Sequence, residues 1–296
     1  MPEGVSTSLV NLGDITKPVD TLIKKVSRAI GGLYAPYQVK RLAKADADAA
    51  IIKAQSDIQI QDINRRAMCR WFEEEAQKQN NMEDITNKAF QHLQENADAG
   101  NMEDDWVTNF FDKSRLISDG EMQELWASLL AGEANASGTY SKRTVNSLGD
   151  FEKADAQMFS KMSGFCYLYN NHQYFPLIFD TSADIYTKEG INFESLNHLA
   201  SIGLIHFNHL SGFTLERLPK RFLLYYYGIP LSLEMPQETD NAIVIGKVLL
   251  TKTGSEIARI CSSKPVPGFM EYVKECWKEF LPKPLTGQNG EDSLHC

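Results

Sequence analysis

The most constraining feature of the sequence is a stretch without glycine or proline that runs from Tyr37 to Ala99. Glycine and proline are the residues that most often end or bend a helix, and alanine, which recurs between Ala43 and Ala54, is the strongest helix former. The sequence therefore predicts a helix from near Val39 to near Gln79, about 60 Å long at about 1.5 Å per residue. That length indicates a coiled-coil or hairpin arm, although the heptad pattern loses its apolar character after Ser56.

Local helix signals divide the rest of the first half into shorter segments. Asn80 and Asn81 are expected to interrupt the long helix, and Asn81 to cap a second one. Ser118 and Glu121 have the spacing of a capping box, in which a serine accepts from a backbone amide and a glutamate reaches back. A wide apolar stripe around Trp126 follows, and Ser141 is expected to cap the next helix. These signals predict a compact helical unit.

The character of the sequence changes after Phe165, where aromatic and β-branched residues become more frequent. Asn192 is expected to cap a helix that ends near Ile202, and a pair of strands follows it. Further strands are predicted over Phe222–Ile229 and Ile243–Leu250. This half is therefore predicted to combine helices with strands.

A closing helix is predicted after the last strand, because Thr253 and Glu256 form a second capping-box pattern. The order of a helix, a strand pair and the sequence LTKTGSEIARI resembles a winged-helix layout between about Asp180 and Cys261. Proteins of different functions share this layout, so it predicts a fold and not an activity.

The predicted fold class is mainly α with a smaller α+β part. A long N-terminal helical arm and a helical bundle are followed by a winged-helix-like domain. The predicted segments are an amphipathic N-terminal segment (1–36), a long helical arm or hairpin (37–100), a compact helical unit (101–165), the winged-helix-like domain (166–281) and a disordered tail (282–296).

Charge and cysteine usage restrict the cellular setting. The net charge of −9 means that the chain as a whole is not attracted to nucleic acid or to an anionic membrane, although a local basic patch can still bind either. The five cysteines are scattered and form no C-x-x-C pair, which fits a reducing compartment. We expect no secretory signal and no spanning helix, and therefore a cytoplasmic, bacterial protein.

The common catalytic motifs are missing from the sequence. It contains no H-E-x-x-H, no P-loop, no G-x-G-x-x-G and no G-x-S-x-G. His206 and His209 are three residues apart in a predicted hairpin, where strand geometry points them to opposite faces, and no neighbouring ligand completes a metal site. The runs Glu73–Glu75 and Asp104–Asp105 read as solvated helix surface. We therefore predict no catalytic residue, no metal and no cofactor.

Basic residues are the candidate anion-binding or nucleic-acid-binding positions. A patch beside Trp71 contains Arg65, Arg66 and Arg70, and a pair at a predicted helix start contains Lys142 and Arg143. The winged-helix-like half contributes Lys220, Arg221 and Lys247. The patch can instead pair with Glu73–Glu75 on its own helix. The presumed recognition helix, Phe193–Ile202, carries no Lys or Arg, so the winged-helix-like half can instead bind protein.

Val19–Leu33 reads as a short amphipathic helix with Lys24, Lys25 and Arg28 on its polar side. A basic amphipathic helix can lie on a membrane surface or dock on a partner. The alternative is that its apolar stripe, which has an ordinary width, packs on the rest of this chain.

Several segments carry a family resemblance, above all QELWASLLAGE and YSKRTVNSLGDFEKADAQMF. Together with INRRAMCRWFEEEAQKQNNMEDITNKA, they make the chain similar to an uncharacterised bacterial family related to the abortive-infection alpha proteins. The resemblance extends from about Asp14 to Lys278. It implies a cytosolic protein without an assigned enzymatic activity, in a family suspected of acting in phage defence, and it transfers no catalytic residue.

These observations lead to three functional hypotheses. The first is a non-enzymatic interaction protein that forms a homo-oligomer, or binds a helical partner, and acts in abortive-infection-type defence. The second is a nucleic-acid-binding regulator that uses the winged-helix-like half. The third is an effector that makes peripheral membrane contact through its N-terminal helix.

Overall fold

The computed structural model describes residues 16–30, 62–170 and 173–282. The chain divides into two compact units, Met1–Lys153 and Ala154–Cys296. The alanine-rich part of the predicted arm and the predicted tail from residue 283 onward lie outside the described residues. Helices and antiparallel strands are both present, so the protein belongs to the α+β class.

The described part of the first unit consists of helices and their connections, and no strand lies within it. Its helices α1 to α5 are Lys17–Ile30, Asp62–Ala89, Asp104–Ser114, Gly120–Asn135 and Lys142–Gly149. Short 3₁₀ turns at Phe90–His92 and Ala99–Asn101 connect α2 to α3. Helix α2 packs on α4, and α3 packs on α1 and α5.

Aromatic side chains form the core of the first unit. The Phe110 ring lies between two tryptophans, stacked on Trp106 at 5.3 Å and edge-on to Trp126 at 5.2 Å. All three residues are buried, and such ring pairs add roughly 0.5–1.5 kcal/mol each beyond the burial of their area. The apolar stripe predicted around Trp126 therefore faces the core.

Helix α2 does not end at Asn81, and the prediction of a break there is wrong. The amide of Asn81 is buried and donates a 2.9 Å hydrogen bond to the carbonyl oxygen of Arg115. It also accepts from Gln77, one turn earlier on the same helix. An asparagine with both groups satisfied by these contacts no longer competes with the helix backbone, so the helix continues to Ala89.

The cap of α4 lies one residue after its predicted position, and the cap of α5 lies at its predicted position. Helix α4 is capped by Asp119, whose carboxylate accepts from the amides of Glu121 and Met122, and not by Ser118. Helix α5 is capped by Ser141, which accepts from the amide of Thr144 as predicted. Aspartate and serine are comparable capping residues, so the choice between neighbours depends on the path of the chain.

The second unit combines short helices with strands. Helix α6, Lys153–Ser163, leads into it, and α7 to α10 are Asp184–Thr187, Phe193–Ser201, Lys252–Ala258 and Phe269–Cys276. Strands β1 to β8 are Cys166–Tyr169, Gln173–Pro176, Ile205–Phe207, Phe213–Leu218, Arg221–Tyr226, Ile229–Glu234, Asn241–Gly246 and Val248–Leu250. Asn192 caps α8 in a capping box with Ser195, which confirms the predicted cap.

Antiparallel pairing builds three small sheets in the described part of the second unit. One sheet has the order β2-β1-β5-β6, and the pairs β3-β8 and β4-β7 form the others. The strand predicted over Phe222–Ile229 is in fact a hairpin, because Tyr227 and Gly228 both have positive φ and reverse the chain between β5 and β6. The strand predicted over Ile243–Leu250 is likewise divided, at Lys247.

Phe269 is the centre of an aromatic core in the second unit. Its ring contacts Phe165 at 4.9 Å and Tyr226 at 5.6 Å. The buried hydroxyl of Tyr226 donates to the carbonyl oxygen of Gly164 at 2.9 Å and accepts from the amide of Val266 at 2.7 Å. This hydroxyl ties the end of α6 and the segment before α10 to the sheet.

The closing helix α9 is capped by Thr251 and not by Thr253. The Thr251 hydroxyl accepts from the amide of Gly254 at 3.0 Å and donates to the carbonyl oxygen of Gly203 at 2.7 Å. A Cβ atom on Gly254 would lie 2.0 Å from the carbonyl oxygen of Leu204. The sequence LTKTG therefore allows the backbone of α9 to approach the start of β3.

Candidate functional site

The first half of helix α2 projects away from the described part of its unit. No residue between Asp62 and Asn80 is buried, whereas Ile85, Thr86 and Ala89 further along are buried against α4 and its surroundings. An exposed helix of this length that lacks a packed side is marginal in water by itself. The segment is therefore a candidate surface for contact with another molecule.

Large apolar side chains lie on one side of this projecting segment. Ile63 is 62% exposed, Met68 40% and Trp71 56%. Ile63, Ala67 and Trp71 are four residues apart and follow one line along the helix, and Met68 and Phe72 form the neighbouring line. We call these five residues the α2 face. Aromatic residues and methionine are enriched in protein interfaces, so the composition of the α2 face fits that use.

The arginines of α2 are paired locally. Arg65 and Arg66 contact the carboxylate of Asp62 at 2.6 and 3.6 Å, and Arg70 contacts Glu74 at 3.4 Å. All of these side chains are more than half exposed, and exposed pairs contribute only about 0–1 kcal/mol. The arginines are therefore held in place weakly and can exchange their partners for an external carboxylate or phosphate.

Two of the three cations of α1, Lys25 and Arg28, interact with Asp104 at the N-terminal end of α3. Lys25 forms a 2.6 Å ion pair with Asp104, and this contact lowers the pKa of the Asp104 carboxyl. Lys24 pairs with Asp20 within α1, and Arg28 lowers the Asp104 pKa further through its charge. Leu22 and Val26 of the same helix are buried. The apolar side of α1 thus packs on the chain itself.

Lys142 and Arg143 follow a loop that a buried carboxylate organises. Glu133 is 2% exposed and accepts from the amides of Gly138 and Tyr140 at 2.6 and 2.8 Å. Lys142 lies 3.7 Å from Asp105, and Arg143 is exposed at the start of α5. Glu133 therefore holds the loop through two hydrogen bonds, and the carboxylate of Asp105 already neighbours one of the two cations.

The three candidate cations of the second unit, Lys220, Arg221 and Lys247, each lie near an acidic or polar group. Lys220 pairs with Glu238 at 2.5 Å, which raises the Lys220 pKa, and Lys247 donates to the carbonyl oxygen of Leu210 at 3.1 Å. Arg221 lies on β5 in register with Glu234. Lys220 and Arg221 are adjacent and their charges interact, whereas Lys247 has a different polar neighbour.

The two histidines of the predicted hairpin do not come together with acidic or thiol groups. His206 is exposed on β3, and His209 packs against Phe193 and Phe207. Within residues 16–30, 62–170 and 173–282, no group of three or more His, Cys, Asp or Glu side chains is arranged to hold a metal ion. The same ranges contain no helix with the length and hydropathy needed to cross a bilayer.

Sequence reasoning missed a small cavity in the second unit. Its volume is about 220 Å³, and its lining includes Cys166, Tyr174, Tyr225, Tyr227 and Cys261. Burial raises the pKa of Cys166 and raises that of Cys261 to about 11, so both thiols are neutral at physiological pH. The run of tyrosines before Gly228 is a local signal for it, but the cavity depends on strand register, which the sequence does not reveal.

These features define an α+β protein with an organised helical core and an exposed helical segment that carries large apolar side chains. The chain belongs to the family described as protein of unknown function (DUF2806), whose model matches residues 65–274. The match begins within the exposed segment of α2 and ends within α10. No curated protein and no solved structure matches the chain significantly. The relationship to abortive-infection alpha proteins stays a prediction.

Proposed function

We propose that the protein is a non-enzymatic interaction protein that self-associates through the α2 face. The observation that carries the proposal is the exposure of Ile63, Met68 and Trp71 on one side of a helix whose first half has no buried residue. Burial of such side chains in a second copy contributes roughly 25 cal/mol per Å² of apolar surface, before the costs of association.

The charges of α2 favour an antiparallel arrangement of the two copies. Arginines occupy the first part of the projecting segment and Glu73–Glu75 occupy its second part. If two α2 helices cross near Arg70 in opposite directions, Arg65 lies opposite Glu75 of the second copy, and Met68 lies opposite Phe72. Such a contact is isologous, so each pair occurs twice, as in a twofold dimer.

Size and composition together set the expected behaviour of the interface. One helical face of this length is small, and small interfaces are typical of weak or transient association. A central tryptophan flanked by apolar residues is a typical hot spot, whose loss costs about 2 kcal/mol or more. We therefore expect a reversible dimer that depends strongly on Trp71.

Sedimentation velocity over a range of concentrations tests this proposal. Trp71→Ser is expected to weaken dimerisation by about 30-fold or more. The matched control is Leu116→Ser, because Leu116 is 67% exposed in the same unit and lies outside the α2 face. A chain that remains monomeric at hundreds of micromolar, or a dimer unaffected by Trp71→Ser, would contradict the proposal.

A charge exchange tests the antiparallel register separately. Arg65→Glu and Glu75→Arg, each alone, are expected to weaken the dimer, and the double variant is expected to restore it. The two residues are about 15 Å apart along their own helix, so restoration cannot come from pairing within one copy. Failure of the double variant to recover association would exclude this register while leaving dimerisation through Trp71 intact.

The biological setting that we propose is bacterial antiviral defence of the abortive-infection type, and it rests on the family resemblance alone. Expression in a susceptible host should reduce phage yield, and Trp71→Ser should abolish the protection if self-association is required. Equal phage yields with and without wild-type protein would remove this setting.

The second candidate function is nucleic-acid binding by a winged-helix-like region. It is favoured by the order of α8, the pairs β3-β8 and β4-β7, and the closing helix α9. Helix α8 carries no lysine or arginine, and Lys220 is paired with Glu238. Binding of duplex DNA that weakens with salt and with Lys220→Glu would support this candidate, and no binding at low salt would exclude it.

A membrane role for α1 has no support in the contacts of the described residues. Leu22 and Val26, which an amphipathic helix would insert into the bilayer, are 0% and 1% exposed. Membrane binding would therefore require α1 to detach from α3 and to break the Lys25–Asp104 ion pair. Flotation of the purified protein with anionic vesicles would show such a detachment.

A further inference from the structure

We propose that a groove in the second unit binds a short, extended peptide that carries acidic residues. The groove is a cavity of about 700 Å³ that is lined by helix α6, by residues 189–191 before α8 and by residues 262–267. We call it the lysine groove, because Lys161 of α6 and Lys264 both line it. Its volume falls within the range of roughly 300–1,000 Å³ that is usual for ligand sites.

The two lysines are brought together by a close backbone contact at Gly164. The carbonyl oxygens of Lys161 and Lys264 lie 3.0 and 2.8 Å from the position that a Cβ atom on Gly164 would occupy. The two lysine backbones are therefore close neighbours, although they belong to different elements. Both residues are exposed, and their flexible four-carbon side chains allow the two ammonium groups to reach one anion.

Neither lysine is neutralised by the described part of the chain. Within residues 16–30, 62–170 and 173–282, no ion pair and no side-chain hydrogen bond involves Lys161 or Lys264. Other lysines of the same unit are paired, Lys188 with Asp184 at 3.2 Å for example. Two neighbouring cations without a counter-charge create a local positive potential, and the carboxylate of a ligand would neutralise it.

Glu189 limits the charge of the ligand. It lines the same groove, is half-buried, and forms no ion pair with the other described residues. Lys161, Lys264 and Glu189 together leave the lining with one excess positive charge. Repulsion from Glu189 grows with the charge of the ligand, so the groove favours carboxylates over a phosphate dianion.

Apolar side chains make up most of the remaining lining. They include Met158, Ile191, Pro265, Val266 and Pro267. Methionine is adaptable and is frequent at surfaces that bind varied partners. None of the described residues that line the groove is aromatic, so a nucleic-acid base has no ring on which to stack. The lining therefore fits a peptide with acidic and apolar side chains better than a single-stranded nucleic acid.

A neighbouring cavity lengthens the groove. It has a volume of about 550 Å³ and shares Glu189, Val266 and Pro267 with the lysine groove, so the two cavities adjoin. Its lining continues to Asp184 of α7 and to Tyr272 of α10. Two adjoining cavities fit an extended chain better than a compact small molecule, and extended peptides are commonly recognised in this way.

The two elements that carry the lysines are held in place by one hydroxyl. The Tyr226 hydroxyl accepts from the amide of Val266 at 2.7 Å and donates to the carbonyl oxygen of Gly164 at 2.9 Å. It thus fixes residues 262–267 relative to the end of α6. Pro265 and Pro267 add fixed φ angles, and a groove that is already ordered loses little conformational entropy when it binds a ligand.

Fluorescence anisotropy of the full-length protein with a short labelled peptide that repeats Glu-Val-Pro tests the proposal. We expect saturable binding at low salt that weakens about 3- to 5-fold in Lys161→Gln and in Lys264→Gln, and about 10-fold or more in the double variant. Added salt should also weaken binding, because both lysines are exposed. The matched control is Lys278→Gln, since Lys278 is exposed in the same unit but lines neither cavity, and the affinity should stay unchanged.

Glu189→Gln provides a test in the opposite direction. Because Glu189 has no ion pair to lose among the described residues, its substitution removes only a repulsive charge from the groove. We expect this variant to bind the acidic peptide several-fold more tightly than the wild type. A purely structural contribution of Glu189 would weaken binding instead.

Five results would overturn the proposal. They are the absence of saturable binding at low salt, equal or tighter binding of a matched peptide that repeats Lys-Val-Pro, unchanged affinity in the double lysine variant, weaker binding in Glu189→Gln, and tighter binding of a single-stranded oligonucleotide than of the acidic peptide. Both lysines are exposed, so their substitution should leave the fold intact, and circular dichroism of each variant checks this directly. Dimerisation through the α2 face is not needed for any of these outcomes.

Discussion

The buried carboxylate of Glu133 accepts a 2.8 Å hydrogen bond from the backbone amide of Tyr140. The other carboxylate oxygen accepts from the amide of Gly138 at 2.6 Å, so one side chain on α4 holds both ends of the turn that leads to α5. The carbonyl oxygen of Tyr140 in turn accepts from the Trp106 indole at 2.8 Å. The sequence AGEANASGTYS therefore encodes a connection between three helices.

Replacement of Glu133 by glutamine is expected to destabilise the first unit by about 2–4 kcal/mol. The glutamine amide has one oxygen that accepts and one NH₂ group that donates. One of the two backbone N–H groups would therefore lose its acceptor and face the donating NH₂ group instead. Urea unfolding followed by tryptophan fluorescence measures the change. Glu95→Gln is the matched control, because Glu95 is exposed, and a loss of stability as large in that variant would show that the effect is not specific to the turn.

Replacement by alanine is expected to have opposite effects on stability at two glycines of α4, Gly132 and Gly120. A Cβ atom on Gly132 would lie 2.6 Å from a ring carbon of Tyr140, which is only 5% exposed, so Gly132→Ala should cost about 1–3 kcal/mol. Gly120 has no such neighbour within 4 Å, so Gly120→Ala should stabilise the helix by about 0.5–1 kcal/mol. Thermal unfolding of the two variants compares them, and shifts of the same sign would contradict the packing described for Tyr140.

Local signals in the sequence were sufficient where the partner of a side chain lies a few residues away. Ser141 and Asn192 cap their helices as predicted, because a cap contacts only the first turn of its own helix. The break predicted at Asn81 is wrong, since the carbonyl oxygen of Arg115, which is distant in sequence, satisfies the asparagine. Propensity describes the isolated segment, and tertiary contacts can override it.

The candidate surfaces depend more strongly on tertiary structure than the helix caps do. The pattern from Ile63 to Phe72 is compatible with a core helix, and only the fold reveals that Trp71 stays 56% exposed. The small cavity of the second unit requires Leu168 and Tyr225 to lie in register across β1 and β5, a pairing between residues that are distant in sequence. Burial of Leu22 and Val26 likewise follows from contact of α1 with α3.

Substitution of Gly254 in the closing helix α9 is expected to reduce stability severely. An alanine there would place its Cβ atom 2.0 Å from the backbone carbonyl oxygen of Leu204, and neither partner can move without shifting a strand or a helix. We expect Gly254→Ala to cost about 3 kcal/mol or more, which is the upper range for overpacking. Ser255→Ala, at the next position, should change stability by less than about 0.5 kcal/mol. Equal unfolding midpoints for the two variants would show that α9 does not approach Leu204 so closely.

The ion pair at the start of α4 predicts a defined pH dependence. Lys153 lies 2.9 Å from Asp119, and this contact, together with the amides of Met122 and Glu121, lowers the pKa of the Asp119 carboxyl. A carboxyl whose pKa is lower in the folded state stabilises the fold above its unfolded pKa of about 4, and this contribution is lost as the pH falls through the folded pKa. The pKa of Lys153 is raised by Asp119 and Glu121, so its contribution is lost only at alkaline pH, as the pH rises through the folded pKa.

We therefore expect the difference in unfolding free energy between the wild type and Asp119→Asn to be constant near neutral pH and to shrink below about pH 4. Asparagine keeps the capping oxygen, so this variant isolates the charge from the cap. Urea unfolding at several pH values measures the difference, and added salt should reduce it because both side chains are exposed. A difference that persists unchanged at pH 2 would mean that the Asp119 carboxyl is not the group that titrates.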